Sequence, residues 1–305
     1  SITDENSCGP YTDIITIDEP TEITITATIT DAVCNGQSSG EISISASGGT
    51  PAQVDEPYAY AWTGIGMTAN DTLNIISEVV AGTYTVTVTD SIGCNIDSTL
   101  TVNEPDPISF TITDQSGSTC YNDDDGYVTI DVSGGNGDYA FAWENKQGAT
   151  IATVEDPSGL APDTLSLNIT DKLGCSVTFY DTVKLTEPDA LILDVTKTDI
   201  SCSGQSDGAI EATTSGGTSP YEYKLAFGSF QPSGSYNNLS AGNYKIVTRD
   251  NNGCADSLIT TIHSPKNINF SIETAGEILC YGDSSVSISF KNITGGTRPF
   301  EFSID

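Results

Sequence analysis

The stretch AGTYTVTVTDSIGC, residues 81–94, alternates Thr with Tyr or Val from Thr83 to Thr89, then turns through Asp and Gly to a cysteine. Alternation of this kind describes a strand with one buried face, because successive side chains point to opposite sides of the pleat. Nearly the same wording returns at 241–254 as AGNYKIVTRDNNGC, and in looser form at 161–175 as APDTLSLNITDKLGC. A residue set that recurs every ~80 positions marks a structural unit used again, since catalysis needs its residues once.

Other landmarks recur in step. Each unit begins after Glu19-Pro20, Glu104-Pro105, Glu187-Pro188 or Ser264-Pro265. An alternating run follows, such as EITITATIT at 22–30 or ALILDVTKT at 190–198. Next comes a cysteine in a polar turn: CNGQSSG, CYNDDDG, CSGQSDG and CYGDSSV, starting at Cys34, Cys120, Cys202 and Cys280. A second run ends at Gly48-Gly49, Gly134-Gly135, Gly216-Gly217 and Gly295-Gly296. An aromatic ladder then reads YAYAW, YAFAW, YEYKL and FEFSI. The chain therefore divides into three whole repeats, 21–105, 106–188 and 189–265. The end of a preceding repeat occupies 1–20, and the start of a following one occupies 266–305.

Each repeat holds about seven runs of period two, separated by Gly, Pro, Asn and Asp, and no segment has a helical period. That rhythm predicts an all-β fold of tandem immunoglobulin-like β-sandwiches arranged end to end. Tyr58, Tyr60 and Trp62 fall on one face of the third strand, as do Tyr139, Phe141 and Trp143, and are expected in the core.

Composition narrows the function. The chain has 305 residues, with 42 acidic against 10 basic side chains, a net charge of −32. Every basic residue lies at or after Lys146. Such a surface repels nucleic acid and anionic lipid. No apolar run approaches the length of a membrane-spanning helix, so this segment is not expected to insert in a membrane. The chain opens and stops in mid-pattern and reads as a window on a longer protein.

Eight cysteines, two per repeat, in an acidic β-rich chain point to an oxidising extracellular setting and disulfides. Zinc-site and Cys-x-x-Cys spacings are absent. The interval from the second cysteine of one repeat to the first of the next is nearly constant: Cys8 to Cys34, Cys94 to Cys120, Cys175 to Cys202, and Cys254 to Cys280. Laid out as two collinear strands this interval is roughly 85 Å, too far for a bond that needs Cα atoms within about 7 Å. Within one sandwich the first cysteine, after strand A, and the second, before strand G, sit at opposite ends. Head-to-tail stacking instead brings the A–B turn of one repeat to the F–G turn of the next. The expectation is inter-repeat bridges, Cys34 with Cys175 and Cys120 with Cys254. Cys8, Cys94, Cys202 and Cys280 would then pair with domains outside the window. Pairing within each repeat (34–94, 120–175, 202–254) stays open if the turns fold back.

The order Cys-x-Gly-x-x-(Asp/Ser)-Gly, then Ser-Gly-Gly-Thr-x-x-Tyr-x-Tyr-x-Trp, then Ala-Gly-x-Tyr-x-Val-x-(Val/Thr)-x-Asp-x-x-Gly-Cys resembles the SprB-type repeat of large surface adhesins of gliding Bacteroidetes. The resemblance covers essentially the whole chain. Departures are Ala-Pro-Asp-Thr at 161–164 in place of Ala-Gly-x-Tyr, Leu225 at the ladder Trp position, and Ser7-Cys8-Gly9 in place of Gly-Cys. The resemblance implies a non-enzymatic stalk or filament segment of a cell-surface adhesin, used in gliding motility and attachment. It would be exported by the type IX system, reach the motility machinery through other parts of the parent chain, and meet an external surface or polysaccharide. It also implies O-glycosylation at Asp-(Ser/Thr)-aliphatic sites: Thr72, Ser98, Thr164, Thr182 and Ser257. Two alternatives remain, an array of carbohydrate-binding modules marked by exposed coplanar aromatics, and a spacer carrying a catalytic domain elsewhere.

The remaining candidates are few. Asp123, Asp124 and Asp125 form a turn-making acidic loop or a weak calcium site; no other cofactor is expected. Asp90, Asp171 and Asp250 precede Gly-Cys and are expected to close the F–G hairpin by accepting backbone N–H bonds. His263, the one histidine, has no counterpart in the other repeats and is not read as catalytic.

Overall fold

A computed structural model describes residues 2–9, 12–50, 58–68, 71–282, 284 and 286–303. Among these residues all regular structure is β-strand. The first repeat contains β1 (Thr24–Thr30), β2 (Gly40–Ser47), β3 (Ala59–Gly64), β4 (Ile75–Val79), β5 (Gly82–Thr89) and β6 (Asn95–Val102). They form two antiparallel sheets, β1-β2-β4 and β3-β5-β6. In immunoglobulin lettering these are A-B-E and C-F-G.

The alternation that named the fold builds its core. Tyr84, Val86 and Val88 on β5 are fully buried, while the intervening threonines face outward. They meet Ile42 and Ile44 of β2, Trp62 of β3, Ile76 and Val79 of β4, and Val102 of β6. Two polar tips are satisfied on the backbone: Trp62 Nε1 donates to Leu73 O at 2.9 Å, and Tyr84 Oη to Val80 O at 2.7 Å. The second bond, from a tyrosine at the start of strand F to the residue four back, is the tyrosine corner of immunoglobulin-like sandwiches.

The middle repeat adds β7 (Ser109–Ser116), β8 (Gly126–Ser133), β9 (Ala140–Glu144), β10 (Thr150–Ala152), β11 (Ser158–Leu160), β12 (Thr164–Thr170) and β13 (Ser176–Lys184). Their sheets are β11-β8-β7 and β10-β9-β12-β13. Leu165 fills the position of Tyr84 and is fully buried, which explains how Ala-Pro-Asp-Thr is tolerated here. The third repeat holds β14 (Ile192–Thr198), β15 (Gly208–Ser215), β16 (Glu222–Leu225), β17 (Ser235–Leu239), β18 (Gly242–Arg249) and β19 (Ala255–Ile262). It repeats the first topology and restores the corner through Tyr244 Oη to Ser240 O at 2.8 Å. Beyond it, β20 (Asn269–Ala275) and β21 (Ser287–Thr294) pair as strands A and B do elsewhere.

Seven strands per repeat were expected, and only the middle repeat shows seven among the described residues. Its extra strand β10 pairs with β9. At the corresponding place the third repeat makes only an isolated bridge, Tyr223 with Gln231, because Gly and Ser interrupt the alternation there.

The chain forms two compact units. The first comprises Ser1–Thr113, Thr129–Glu155 and Ser166–Thr182; the second comprises Asp114–Val128, Asp156–Leu165 and Val183–Asp305. Each unit contains one disulfide between neighbouring repeats.

Candidate functional site

The residues that recur most faithfully converge on the cysteine-bearing turns. In the first unit Cys34, in the β1–β2 turn, is bonded to Cys175, in the β12–β13 turn, with Cα atoms 5.5 Å apart. In the second unit Cys120, in the β7–β8 turn, is bonded to Cys254, in the β18–β19 turn, at 5.7 Å. Both bridges join the A–B turn of one repeat to the F–G turn of the next.

An aspartate presets each F–G turn. Asp171 is 4% exposed. Its Oδ1 accepts the N–H groups of Leu173 (2.9 Å) and Cys175 (3.0 Å), and its Oδ2 accepts the N–H and Nδ2 of Asn136, both at 2.8 Å. Asp250 receives Asn252 and Cys254 on Oδ1, both at 2.9 Å, and Thr218 N on Oδ2 at 2.8 Å. Asp90 does the same for Ile92, Cys94 and Thr50. For Asp90 the Thr50 N–H is the largest influence; burial opposes it, but the turn's other N–H groups help hold the carboxyl below its ordinary range. For Asp171 burial is the largest single influence and pushes the other way, yet the donors of Asn136, Cys175 and Leu173 together outweigh it and lower the pKa. Buried carboxylates surrounded by N–H donors stay ionised for this reason.

The double glycine is part of the same device. Gly49, Gly135 and Gly217 have φ of 61°, 55° and 57°, and a Cβ there would lie 2.9, 2.9 and 2.7 Å from Oδ2 of Asp90, Asp171 and Asp250. The backbone must come this close for the N–H of the next residue to reach the carboxylate.

The A–B turn is preset too. Val33 N donates to Ser39 Oγ at 2.8 Å, Thr119 N to Asp125 Oδ1 at 2.8 Å, and Ser201 N to Asp207 Oδ1 at 3.0 Å. Hydrogen bonds from Thr119 and Ser201 lower the pKa of Asp125 and Asp207 respectively. The linker glutamate closes the other side: Glu104 accepts from Gly36 N and Asn35 Nδ2, and Glu187 from Asn122 N.

Across each bridge one amide reads the neighbouring backbone. Asn136 Nδ2 donates to Val33 O at 3.0 Å, and Asn252 Nδ2 to Thr119 O at 3.1 Å. Cys175 Sγ lies 3.4 Å from the same Val33 oxygen, a contact without a proton because the sulfur is oxidised. The two asparagines come from different loops, the B–C turn and the F–G turn. Sequence reading missed them because no repeated position signals them.

Cys8, Cys94, Cys202 and Cys280 are exposed and unpaired. Three of them sit in turns built like the bonded ones. Cys8 N and Asn6 N donate to Asp4 Oδ1 at 2.8 and 3.0 Å, Cys94 is held by Asp90, and Gln205 N donates to Cys202 O just as Gln37 N does to Cys34 O, both at 3.1 Å.

The other candidates separate. Asp125 spends its carboxylate on Thr119, Asp123 N bonds Cys120 O, and no group of three or more metal-ligating side chains occurs among the described residues. Thr72, Thr182 and Ser257 are exposed and Thr164 is half-buried. Ser98 pairs with buried Val86 and so faces the core side, whereas Ser257 pairs with Val247 on the outer face. Their Asp-Ser pairs are one residue out of step relative to the preceding cysteine, and one residue reverses the face. The backbone of exposed His263 bonds Asp199 and Ile200. Trp62, Trp143 and Tyr223 of the aromatic ladders are buried, so these three side chains offer no sugar platform.

A model of the SprB repeat matches residues 26–67, 111–148 and 195–230. The chain carries SprB repeats. Each match runs from strand A through the first cysteine turn to the aromatic ladder, so each bridge ties a cysteine within a matched SprB segment to one beyond it. The SprB matches mark an adhesin-like repeat region, and with the disulfides they indicate an extracellular surface protein. No curated protein matches the chain significantly. Among solved structures it is similar to three N-terminal domains of the bacteriophage RB49 outer capsid protein Hoc, at 12% identity and a TM-score of 0.39 over 79% of this chain and 97% of that one. It is similar also to the N-terminal eight immunoglobulin domains of Down Syndrome Cell Adhesion Molecule, at 13% and 0.35 over 80% and 45%. A tetra-tandem repeat from the extending region of a large adhesion protein matches at 14% and 0.21 over 83% and 77%. No helix among the described residues is long and apolar enough to cross a membrane.

Proposed function

We propose that these repeats form a non-enzymatic stalk segment of a long cell-surface adhesin, serving attachment and gliding motility. The observation that carries this reading is the repeated bridge from one SprB-bearing repeat to the next. A covalent tie at each junction suits a part that is pulled, because load passes through a bond instead of a packed surface. In this account the repeats are the units 21–105, 106–188 and 189–265. Cys94 and Cys202, with Cys8 and Cys280, continue the bridges to neighbouring repeats of the parent chain. The adhesive tip and the segments that engage the type IX export and motility machinery belong to other parts of that chain.

Antibodies raised against the 305-residue chain test this on living cells. The reading expects labelling of intact cells along surface filaments, and shorter filaments with normal export when the repeats are deleted. Labelling that appears only after lysis, or filaments of unchanged length, overturns it.

A further inference from the structure

The C-F-G sheet presents an outer face in every whole repeat, and the third repeat differs from the others. In the first repeat the outward positions of β3 and β5 are Ala59, Ala61, Thr85, Thr87 and Thr89; in the middle repeat the corresponding ones are Ala140, Ala142, Ser166, Asn168 and Thr170. In the third repeat they are Glu222, Lys224, Lys245, Val247 and Arg249. Three of the chain's ten basic residues therefore share one small face of a protein with a net charge of −32.

These cations are arranged for use. Arg249 lies 4.0 Å over the ring of Phe230, and its Nε and Nη2 reach Glu222 Oε2 at 2.7 and 2.6 Å. Ring and carboxylate fix the guanidinium, and its remaining N–H donors have no partner among the described residues. Lys224 Nζ stands 4.5 Å from the same ring. Lys224 and Lys245 enter no ion pair among the described residues, although acidic side chains outnumber basic ones 42 to 10. Val247, and Ile259 at 67% exposure opposite Lys245, place apolar ground between the charges.

We propose that this face binds an acidic polysaccharide, its carboxylates seated on Lys224, Lys245 and Arg249. The identification of a polymer rests on size and charge. Three strands by five residues present a flat area about 15 Å by 17 Å. A stable protein partner needs about 800 Å² on each side. A linear polyanion needs only a row of cations, and Lys245 and Arg249 stand about 13 Å apart along β18 with Lys224 of β16, opposite Val247, midway between them. Pyranose C–H groups fit over Val247 and Ile259. Binding at one repeat is weak, and many chains on one surface raise it through avidity. The proposal deepens the adhesin reading by giving it a ligand class, and surface labelling decides that reading independently.

The test is retention of the full 305-residue chain on immobilised polygalacturonate, with neutral dextran and polyglutamate alongside. Retention on polygalacturonate alone is expected, falling with salt at a log–log slope of about −2 to −3 as counterions are released at three cations. K224E/K245E/R249E should weaken it at least ~10-fold, and K224A/K245A, which leaves Arg249 on Phe230, several-fold; both factors are order-of-magnitude expectations from losing phosphate-like charge contacts. K146E/K172E/K184E in the middle repeat should change it less than about twofold on the same grounds. Equal loss in both charge-reversal variants, retention on dextran, preference for polyglutamate, or no retention at all overturns the proposal.

Discussion

Pulling the oxidised chain from its two ends should reveal how the bridges interlock. The two bridges span overlapping stretches of backbone, because Cys120 lies before Cys175. Once the sandwiches unfold in reductant, the chain from Cys34 to Cys254 runs its full course of about 220 residues and reaches roughly 770 Å at about 3.5 Å per extended residue. In the oxidised chain the shortest covalent route is different. It crosses the first bridge to Cys175, runs back to Cys120, and crosses the second bridge to Cys254. Only about 55 residues then bear the load, and the segment reaches roughly 190 Å. Single-molecule force spectroscopy should therefore record a gain in final contour length of about 580 Å on adding a reductant. Bridges confined to single repeats would hide a similar length, so the deciding variant is Cys94→Ser. That cysteine is unpaired, and the oxidised contour should not change. A lengthening of roughly 210 Å, from release of a loop of about 60 residues, would mean that Cys34 and Cys94 are bonded and would refute the interlocked arrangement.

Three further outcomes follow from the same geometry. Trp143→Ala removes a fully buried ring whose Nε1 is bonded to Val154 O. It should cost about 3–5 kcal/mol in chemical denaturation, and a loss below about 1 kcal/mol would contradict its place in the core. Asp90 and Asp171 have folded pKa values below their unfolded ones. Their contribution is therefore complete above the unfolded value of about 3.9 and is lost as pH falls through the folded value. Thermal midpoints should be flat from about pH 7 to 5 and drop below about pH 4, with the drop shallower in Asp171→Asn; a midpoint that rises on acidification would contradict this. Glycopeptide analysis of protein taken from cells should find any O-glycans on Thr72 or Thr182 and none on Ser257, which lies beside Val247 on the proposed polysaccharide face, and a glycan on Ser98 would show that its strand register is wrong.

The fold was legible where the side-chain pattern is imposed by burial. The Thr-Tyr-Thr-Val run of β5 can bury only one face, and the ladder ending at Trp62 or Trp143 supplies the large residues that a two-sheet core requires. The hairpin role of Asp90, Asp171 and Asp250 could also be read, because Asp before a Gly-containing turn is a local preference. What could not be read depends on contacts between distant segments. Asn136 and Asn252 perform one task from two different loops, so comparing repeats position by position conceals them. Glu104 and Glu187 look like linker charges until the cysteine turn is seen to rest on them. The Asp-Ser tripeptides at 97–99 and 256–258 look alike as strings, and only the strand register shows that their serines face opposite ways.

The central claim is that bridges run between repeats, and peptide mapping under non-reducing conditions on protein isolated from the cell surface tests it most directly. Cleavage must use an Asp-directed protease and chymotrypsin, because residues 1–145 contain no Lys or Arg for trypsin. The account predicts linked peptides joining Cys34 to Cys175 and Cys120 to Cys254. Peptides joining Cys34 to Cys94, or Cys120 to Cys175, would contradict it and leave each repeat closed on itself.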